Sequence, residues 1–211
     1  MTATTIVLAG ASGDLGTRIL RALVARGANV RALVRHDAPA TDASRLMKFG
    51  ASIARADALD VKSVAAASDG ASCVVSALNG LREVIVERQG ILLDAAVAAG
   101  VPRFIPSDYA ADFMKTEPGH NRNFDIRREF MHRAERAPIA LTSVLNGAFM
   151  DMLGAEMPII QSRVRRVLHW GSVDQPLDFT MKDDVASYVA AVAMDGKTPR
   201  VLGIAGDTQC A

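Results

Sequence analysis

The stretch Thr5-Ile-Val-Leu-Ala-Gly10-Ala-Ser-Gly13-Asp-Leu-Gly16-Thr-Arg-Ile-Leu-Arg-Ala-Leu-Val-Ala-Arg-Gly27 decides the fold. An apolar run, Thr5–Ala9, enters a glycine-rich turn and leaves it as a helical pattern, Leu15–Ala25, closed by Gly27 where a helix C-terminus favours a left-handed residue. Gly10 permits the tight turn, Gly13 removes a Cβ where an anion approaches, and Gly16 lets the helix lie close to the sheet. Backbone N–H groups at the helix start, those of Gly13, Leu15 and Gly16 among them, then face the anion with the positive end of the helix dipole behind them. Ser12 adds a hydroxyl donor. The spacing is GxxGxxG rather than GxGxxG, so position carries the reading: strand before, helix after, second strand from Val30. Asp14 is unexpected beside a phosphate and is assigned to the helix start, its carboxylate turned from the ligand.

Working outward, the second strand ends Ala32-Leu-Val-Arg35-His36. An acid at that place accepts from ribose hydroxyls, whereas an arginine pairs with a 2′-phosphate, so Arg35 favours NADP(H) and nearby Asp37 keeps NAD(H) open. The third strand is followed by Ala56-Asp57 and the fourth by Ser76-Ala77-Leu78-Asn79. Both lie at carboxyl ends of strands, where open α/β sheets bind ligands, and are expected to flank adenine and ribose.

Strand-like runs at Thr5–Ala9, Val30–Val34, Ser52–Arg55, Cys73–Val75, Arg103–Ile105 and Ala140–Val144 alternate with helical stretches at Leu15–Ala25, Val61–Ser68, Val84–Ala99 and Phe124–Glu135. That alternation predicts a doubly wound parallel sheet of the Rossmann type. Past Asn146 it weakens into a Met-rich Phe149–Pro158, a hairpin strand at Val164–Trp170, a short strand at Leu177–Thr180, a helix at Asp183–Met194 and a late strand at Arg200–Ile204. We therefore expect one domain over residues 1–211, with a dinucleotide-binding core at 1–145 and a partial substrate-side region at 146–211.

Half of the 211 residues are apolar, enough for a sizeable core, and a formal net charge of +1 leaves no footprint for nucleic acid. The small basic cluster Arg163, Arg165 and Arg166 reads as a solvated face. Met1–Gly10 lacks the basic start and long apolar run of a secretion signal, and no stretch is long enough to span a membrane. The expectation is a cytoplasmic protein with reduced thiols at Cys73 and Cys210 and no metal site.

Several segments together resemble the NmrA-like, isoflavone-reductase-like branch of the atypical short-chain dehydrogenases. They are the GxxGxxG turn, Ala32-Leu-Val-Arg35, Val75-Ser-Ala-Leu78, Gln89, Ala99-Gly-Val-Pro-Arg-Phe-Ile-Pro-Ser-Asp-Tyr109, Ile126-Arg-Arg-Glu129 and Asn146-Gly-Ala-Phe149. The resemblance implies NADPH as hydride donor to a small aromatic or conjugated substrate, with Pro106 and Ser107 of the Pro-Ser signature joining the cofactor site. It also implies a proton-transferring lysine three residues before the Ile-Arg pair, and that position is Asn123. Asparagine can hydrogen-bond a substrate oxygen but has no proton to exchange. The resemblance further implies helices after the late strand that cover the substrate; without them the cleft would be open and wetter.

No Tyr-x-x-x-Lys pair is present, since Phe113 follows Tyr109 at that spacing and Val192 follows Tyr188. His120, in the loop before the expected active-site helix, is the candidate substitute acid or base. Tyr109 offers a phenolic hydrogen bond or packs as an aromatic, Lys115 ranks below His120, and Asp108 supports the loop. Two functions follow: an NADPH-dependent reductase of a small carbonyl, quinone or conjugated aromatic compound, or a non-catalytic NADP(H) sensor that signals to a protein partner.

Overall fold

The computed structural model describes residues 4–153, 159–169, 172–174 and 176–210, and the side chains of 207–210 lie outside the description. Six strands form one parallel sheet: β1 (Thr5–Ala9), β2 (Asn29–Arg35), β3 (Ser52–Ala56), β4 (Cys73–Ser76), β5 (Arg103–Ile105) and β6 (Ala140–Leu141), in the order β3-β2-β1-β4-β5-β6. This is the doubly wound α/β arrangement expected from the alternation. Ile6, Val7 and Leu8 have no solvent exposure because β1 is central and covered on both faces, which explains its unbroken apolar run.

The helices are α1 (Asp14–Ala25), α2 (Ala40–Lys48), α3 (Val61–Ser68), α4 (Gln89–Ala98), α5 (Arg122–Ala134) and α6 (Lys182–Met194). On one face Ile19, Leu20 and Leu23 of α1, Leu46 of α2 and Val185, Val189 and Val192 of α6 cover Ile6, Leu8, Val30 and Val75. On the other, Val64, Leu92, Leu93, Ile126 and Phe130 from α3, α4 and α5 cover Val7, Val74 and Phe104. Gly27 (φ 80°) takes the left-handed conformation expected after its helix, and Gly100 (φ 66°) does the same after α4.

The structure departs from the sequence reading in several places. Helix α2 was not expected: only Ala43 and Leu46 are buried in it, too few for a periodic signal. Its start is marked by Pro39, whose fixed φ suits a helix entrance. The helix expected at Val84–Ala99 opens with a wide π-type segment, Glu83–Arg88, before α4. The strand expected at Ala140–Val144 breaks at Thr142: Ala140 and Leu141 pair with β5, while β7 (Ser143–Leu145) pairs in parallel with Val201–Gly203. The hairpin strand is Arg166–Val167, antiparallel to Ile160–Gln161, because Ser162–Val164 is a single 3-10 turn; Trp170 lies outside the described residues. Within the Met-rich segment Met150–Met152 is another such turn, and residues 154–158 lie outside the description. Among the described residues no helix is long and apolar enough to cross a membrane.

Arg103 ties the sheet to the end of α6. It is buried on β5, donates to the carbonyls of Val192 (2.8 Å) and Asp195, and reaches the hydroxyls of Thr142 (3.3 Å) and Thr198. Arg103→Met removes the guanidinium from the Asp195 carbonyl and leaves the Val192 carbonyl with the longer Asp195 N–H contact at 3.3 Å, and we expect a loss of about 3 kcal/mol, or on the order of 10 °C in melting temperature. Circular-dichroism melting checks this; an unchanged midpoint would refute the tie.

Candidate functional site

Strand order reverses between β1 and β4, whose neighbours on either side run outward in opposite directions, and that reversal opens a crevice at the carboxyl ends. Register sets Ala9 beside both Leu33 and Ser76, so the segments after β1, β2 and β4 emerge together. Gly10 lies there with φ 79°, and a Cβ on it would come within 2.5 Å of the Ala77 carbonyl oxygen. The two backbones touch, which only glycine allows.

A cavity of about 300 Å³ fills the crevice. Its wall includes Gly10 and Ser12 of the glycine turn, Leu33, Val34 and Arg35 at the end of β2, Ala38, Pro39, Asp42 and Leu46 leading into and along α2, and Ala56 and Ala58 after β3. Leu78, Asn79, Val84, Arg88 and Leu92 close it from the β4–α4 side. Of the residues expected at a cofactor, Gly10, Ser12, Arg35, Leu78 and Asn79 thus line one cavity. Gly13 and Leu15 sit at the adjoining start of α1, where the Thr17 N–H donates to the Gly13 carbonyl at 2.9 Å.

Gly16 is buried where the first turn of α1 meets the backbone that leaves β1. A Cβ there would lie 2.0 Å from the Gly10 carbonyl oxygen and 3.0 Å from Ala11 Cα, so the turn itself requires glycine at this position. Asp57 lies outside the cavity wall, and its carboxylate accepts from the Leu59 N–H at 2.9 Å. Ser76 is fully buried, and its Oγ has no hydrogen-bond partner. Pro106 and Ser107 lie below the wall: the Ser107 hydroxyl donates to the Leu78 carbonyl (2.7 Å) and its N–H to Gln89 Oε1 (2.9 Å). That pair fixes the Leu78 segment against the Pro-Ser signature.

Asp14 does turn its carboxylate from the crevice, to Arg18 Nε and Lys182 Nζ, each at 2.9 Å. Those two cations hold it below the usual carboxylate range, the Arg18 hydrogen bond leading. Asp108 is buried, accepts from Ser143 Oγ at 2.6 Å and has its acidity suppressed by desolvation, consistent with loop support. Burial pushes the Cys73 thiol up to about 12, far from nucleophilic use.

The three residues expected near the chemistry are not joined by any hydrogen bond between their side chains among the described residues. Of the two readings of Tyr109 the structure shows the packed one: it is buried, its hydroxyl donates to the Ser76 carbonyl at 3.1 Å, and desolvation pushes its pKa up. A phenol so committed is a strut, not an accessible acid. His120 is exposed, with Nε2 3.6 Å from Glu117 Oε2, and Lys115 is exposed beside Asp112 at 3.1 Å. Asn123 is exposed in the first turn of α5; its N–H donates to the capping Asn121 Oδ1 at 2.9 Å, and its carbonyl oxygen accepts from Arg127 Nη1 at 2.9 Å. Arg128 and Asp125 fasten the preceding loop, Arg128 to the carbonyls of Phe113 and Thr116 and Asp125 to the Gly119 N–H at 3.1 Å.

Two residues went unnoticed in the sequence because α2 did. Arg45 donates from Nη2 to the Ser12 carbonyl at 2.8 Å, bringing a second cation to the glycine turn. Asp42 lines the cavity one turn earlier. The signal available was Pro39 followed by a short run with no helix breaker, Ala40–Lys48.

A family model described as the NmrA-like family matches residues 2–210. Pinoresinol reductase 1 of Arabidopsis thaliana is 27% identical over 212 residues, covering 92% of this chain and 66% of that protein. The isoflavone reductase homolog IRL of Zea mays is 29% identical over 208 residues, covering 90% of this chain and 64% of that one. The chain therefore spans about two thirds of the length of these relatives (66% and 64%). Among solved structures, AtPrR2 with NADP+ and (+)pinoresinol superposes with a TM-score of 0.80 at 24% identity, covering 96% of this chain and 70% of that chain. An NADPH-dependent quinone oxidoreductase from Escherichia coli complexed with NADPH gives 0.79 at 21%, with coverages of 96% and 70%. At such identities the superpositions establish the fold.

Proposed function

Because the chain belongs to the NmrA-like family, we propose that it is an NADPH-dependent reductase of a small carbonyl, quinone or conjugated aromatic compound. The observation that carries this is the crevice beside β1 and β4, where the glycine turn, Arg35 and Leu78 line one cavity. The relatives named as pinoresinol and isoflavone reductases support the reaction class. Gly13 supports the fit of a pyrophosphate. Its backbone (φ −71°) suits any residue and a Cβ would meet only the Gly10 carbonyl oxygen, at 3.4 Å, so the fold alone does not demand glycine there.

In this reading residues 1–145 hold the coenzyme and 146–211 face the substrate. The amides at the start of α1 and the Ser12 hydroxyl hold the pyrophosphate, Arg35 receives the 2′-phosphate, and Ala77 and Leu78 flank ribose and base. NADPH, when bound, supplies the hydride. Asn123 donates a hydrogen bond to the substrate oxygen, and His120 or water exchanges the proton. NAD(H) is the second coenzyme admitted.

The test is substrate-dependent NADPH oxidation over a broad quinone and enone panel, with Gly13→Ala as the blank. Asn123→Lys restores an exchangeable proton where the family carries one and is expected to raise turnover on the order of 100-fold at unchanged NADPH affinity. No turnover by either protein above the blank removes the reductase reading.

Asn123 itself favours a second reading, a sensor whose NADP(H) occupancy alters a surface for a protein partner. Such a sensor must bind two nucleotide states unequally or couple occupancy to that partner. Identical titrations for NADP+, NADPH, NAD+ and NADH, with no partner effect, remove it.

A further inference from the structure

We propose that Asp42 sets the coenzyme preference of the crevice, its carboxylate accepting from the ribose 2′-hydroxyl of NAD(H) and opposing the 2′-phosphate of NADP(H). The inference rests on the reading of the crevice as a dinucleotide site and adds a residue on α2 to the discrimination that Arg35 makes at the end of β2.

Three carboxylates lie near the crevice, and the structure separates them. Asp37 follows β2, where a ribose-binding acid is ordinarily sought. Its side chain is 75% exposed, pairs with Arg35 Nε at 3.5 Å and lies outside the cavity wall. Asp57 spends its carboxylate on its own loop. Asp42 lines the cavity, the sole acid among its described lining residues, alongside Arg35 and Arg88.

The charge around Asp42 leans positive. Arg45 Nη2 lies 3.8 Å from Asp42 Oδ1 and 2.8 Å from the Ser12 carbonyl oxygen, so one guanidinium spans the acid and the glycine turn. A 2′-phosphate entering this corner meets Arg35 and Arg45 but also a fixed negative charge. A free ribose hydroxyl meets an acceptor instead. Two cations against one acid leave NADP(H) preferred while NAD(H) remains a competent ligand.

Asp42→Asn removes the charge and keeps the shape. Calorimetric titration of the wild-type chain, Asp42→Asn and Asp42→Ala with NADPH, NADH, 2′,5′-ADP and 5′-AMP reads the effect. In both variants we expect NADPH and 2′,5′-ADP to bind about 10-fold tighter and NADH to bind several-fold weaker. Asp42 is half-buried in the first turn of α2 and makes no other side-chain hydrogen bond or ion pair among those described, so a melting temperature close to the wild type is expected to accompany the shift. An unchanged NADPH-to-NADH ratio, or equal movement of both affinities, overturns the role of Asp42. Failure of the wild-type chain to bind any of the four probes overturns the coenzyme reading itself.

Discussion

Gly13→Ala is expected to fold like the wild type and lose at least about 100-fold in NADPH affinity, because a methyl group would stand where the pyrophosphate approaches. Gly16→Ala is expected to fail earlier, in folding. The two glycines lie in one turn, and the motif gives them similar weight; the backbone does not. At Gly13 the conformation is open to any residue and the nearest atom to an added Cβ is 3.4 Å away, an ordinary contact. At Gly16 the added atom would meet the Gly10 carbonyl oxygen at 2.0 Å and its carbon at 2.8 Å, and these belong to a turn already pressed against Ala77. Backbone so confined cannot step aside, so the overpacking cost sits at the upper end, about 3 kcal/mol or more. Thermal melting and calorimetry on both variants separate the effects. Full NADPH affinity in Gly13→Ala would show that no phosphate passes over that residue.

This contrast also indicates what the sequence could disclose. Central strands were legible because a buried parallel strand is an uninterrupted apolar run: Ile6–Leu8 and Cys73–Val75 need no partner to be recognised. The glycine turn was legible because its strand-turn-helix context restricts what glycine can be for. Helix α2 was not, because it rests on the sheet by little more than Ala43 and Leu46, and so a helix with few anchors hid both Asp42 and Arg45. The break at Thr142 was invisible for a different reason. Ala140–Val144 reads as one strand, yet its two parts pair with β5 and with Val201–Gly203, a choice made by distant chain. Tyr109 was equally undecidable: whether its hydroxyl faces a cleft or the Ser76 carbonyl depends on the β4–β5 geometry.

Arg35→Asp is expected to weaken NADP(H) by about 100-fold or more while leaving NAD(H) within a few-fold of wild type, since it replaces a charge-assisted hydrogen bond to the 2′-phosphate with a like charge. The fold should tolerate the exchange. The Arg35 side chain is 59% exposed, and its recorded ion-pair partner, Asp37 at 3.5 Å, is itself 75% exposed; such a surface pair contributes little to stability. A loss confined to NADP(H) therefore reports on binding. Ionic strength gives an internal check, because an exposed guanidinium acting on a dianion is screened by salt: the gap between NADP(H) and NAD(H) should narrow as salt rises in the wild type. Arg45 would still lean on the glycine turn in the variant, which is why residual NADP(H) binding is expected rather than none. Equal weakening of both coenzymes would mean that Arg35 shapes the crevice wall without reading the phosphate, and the preference would then rest on the opposition of Asp42 and Arg45 alone.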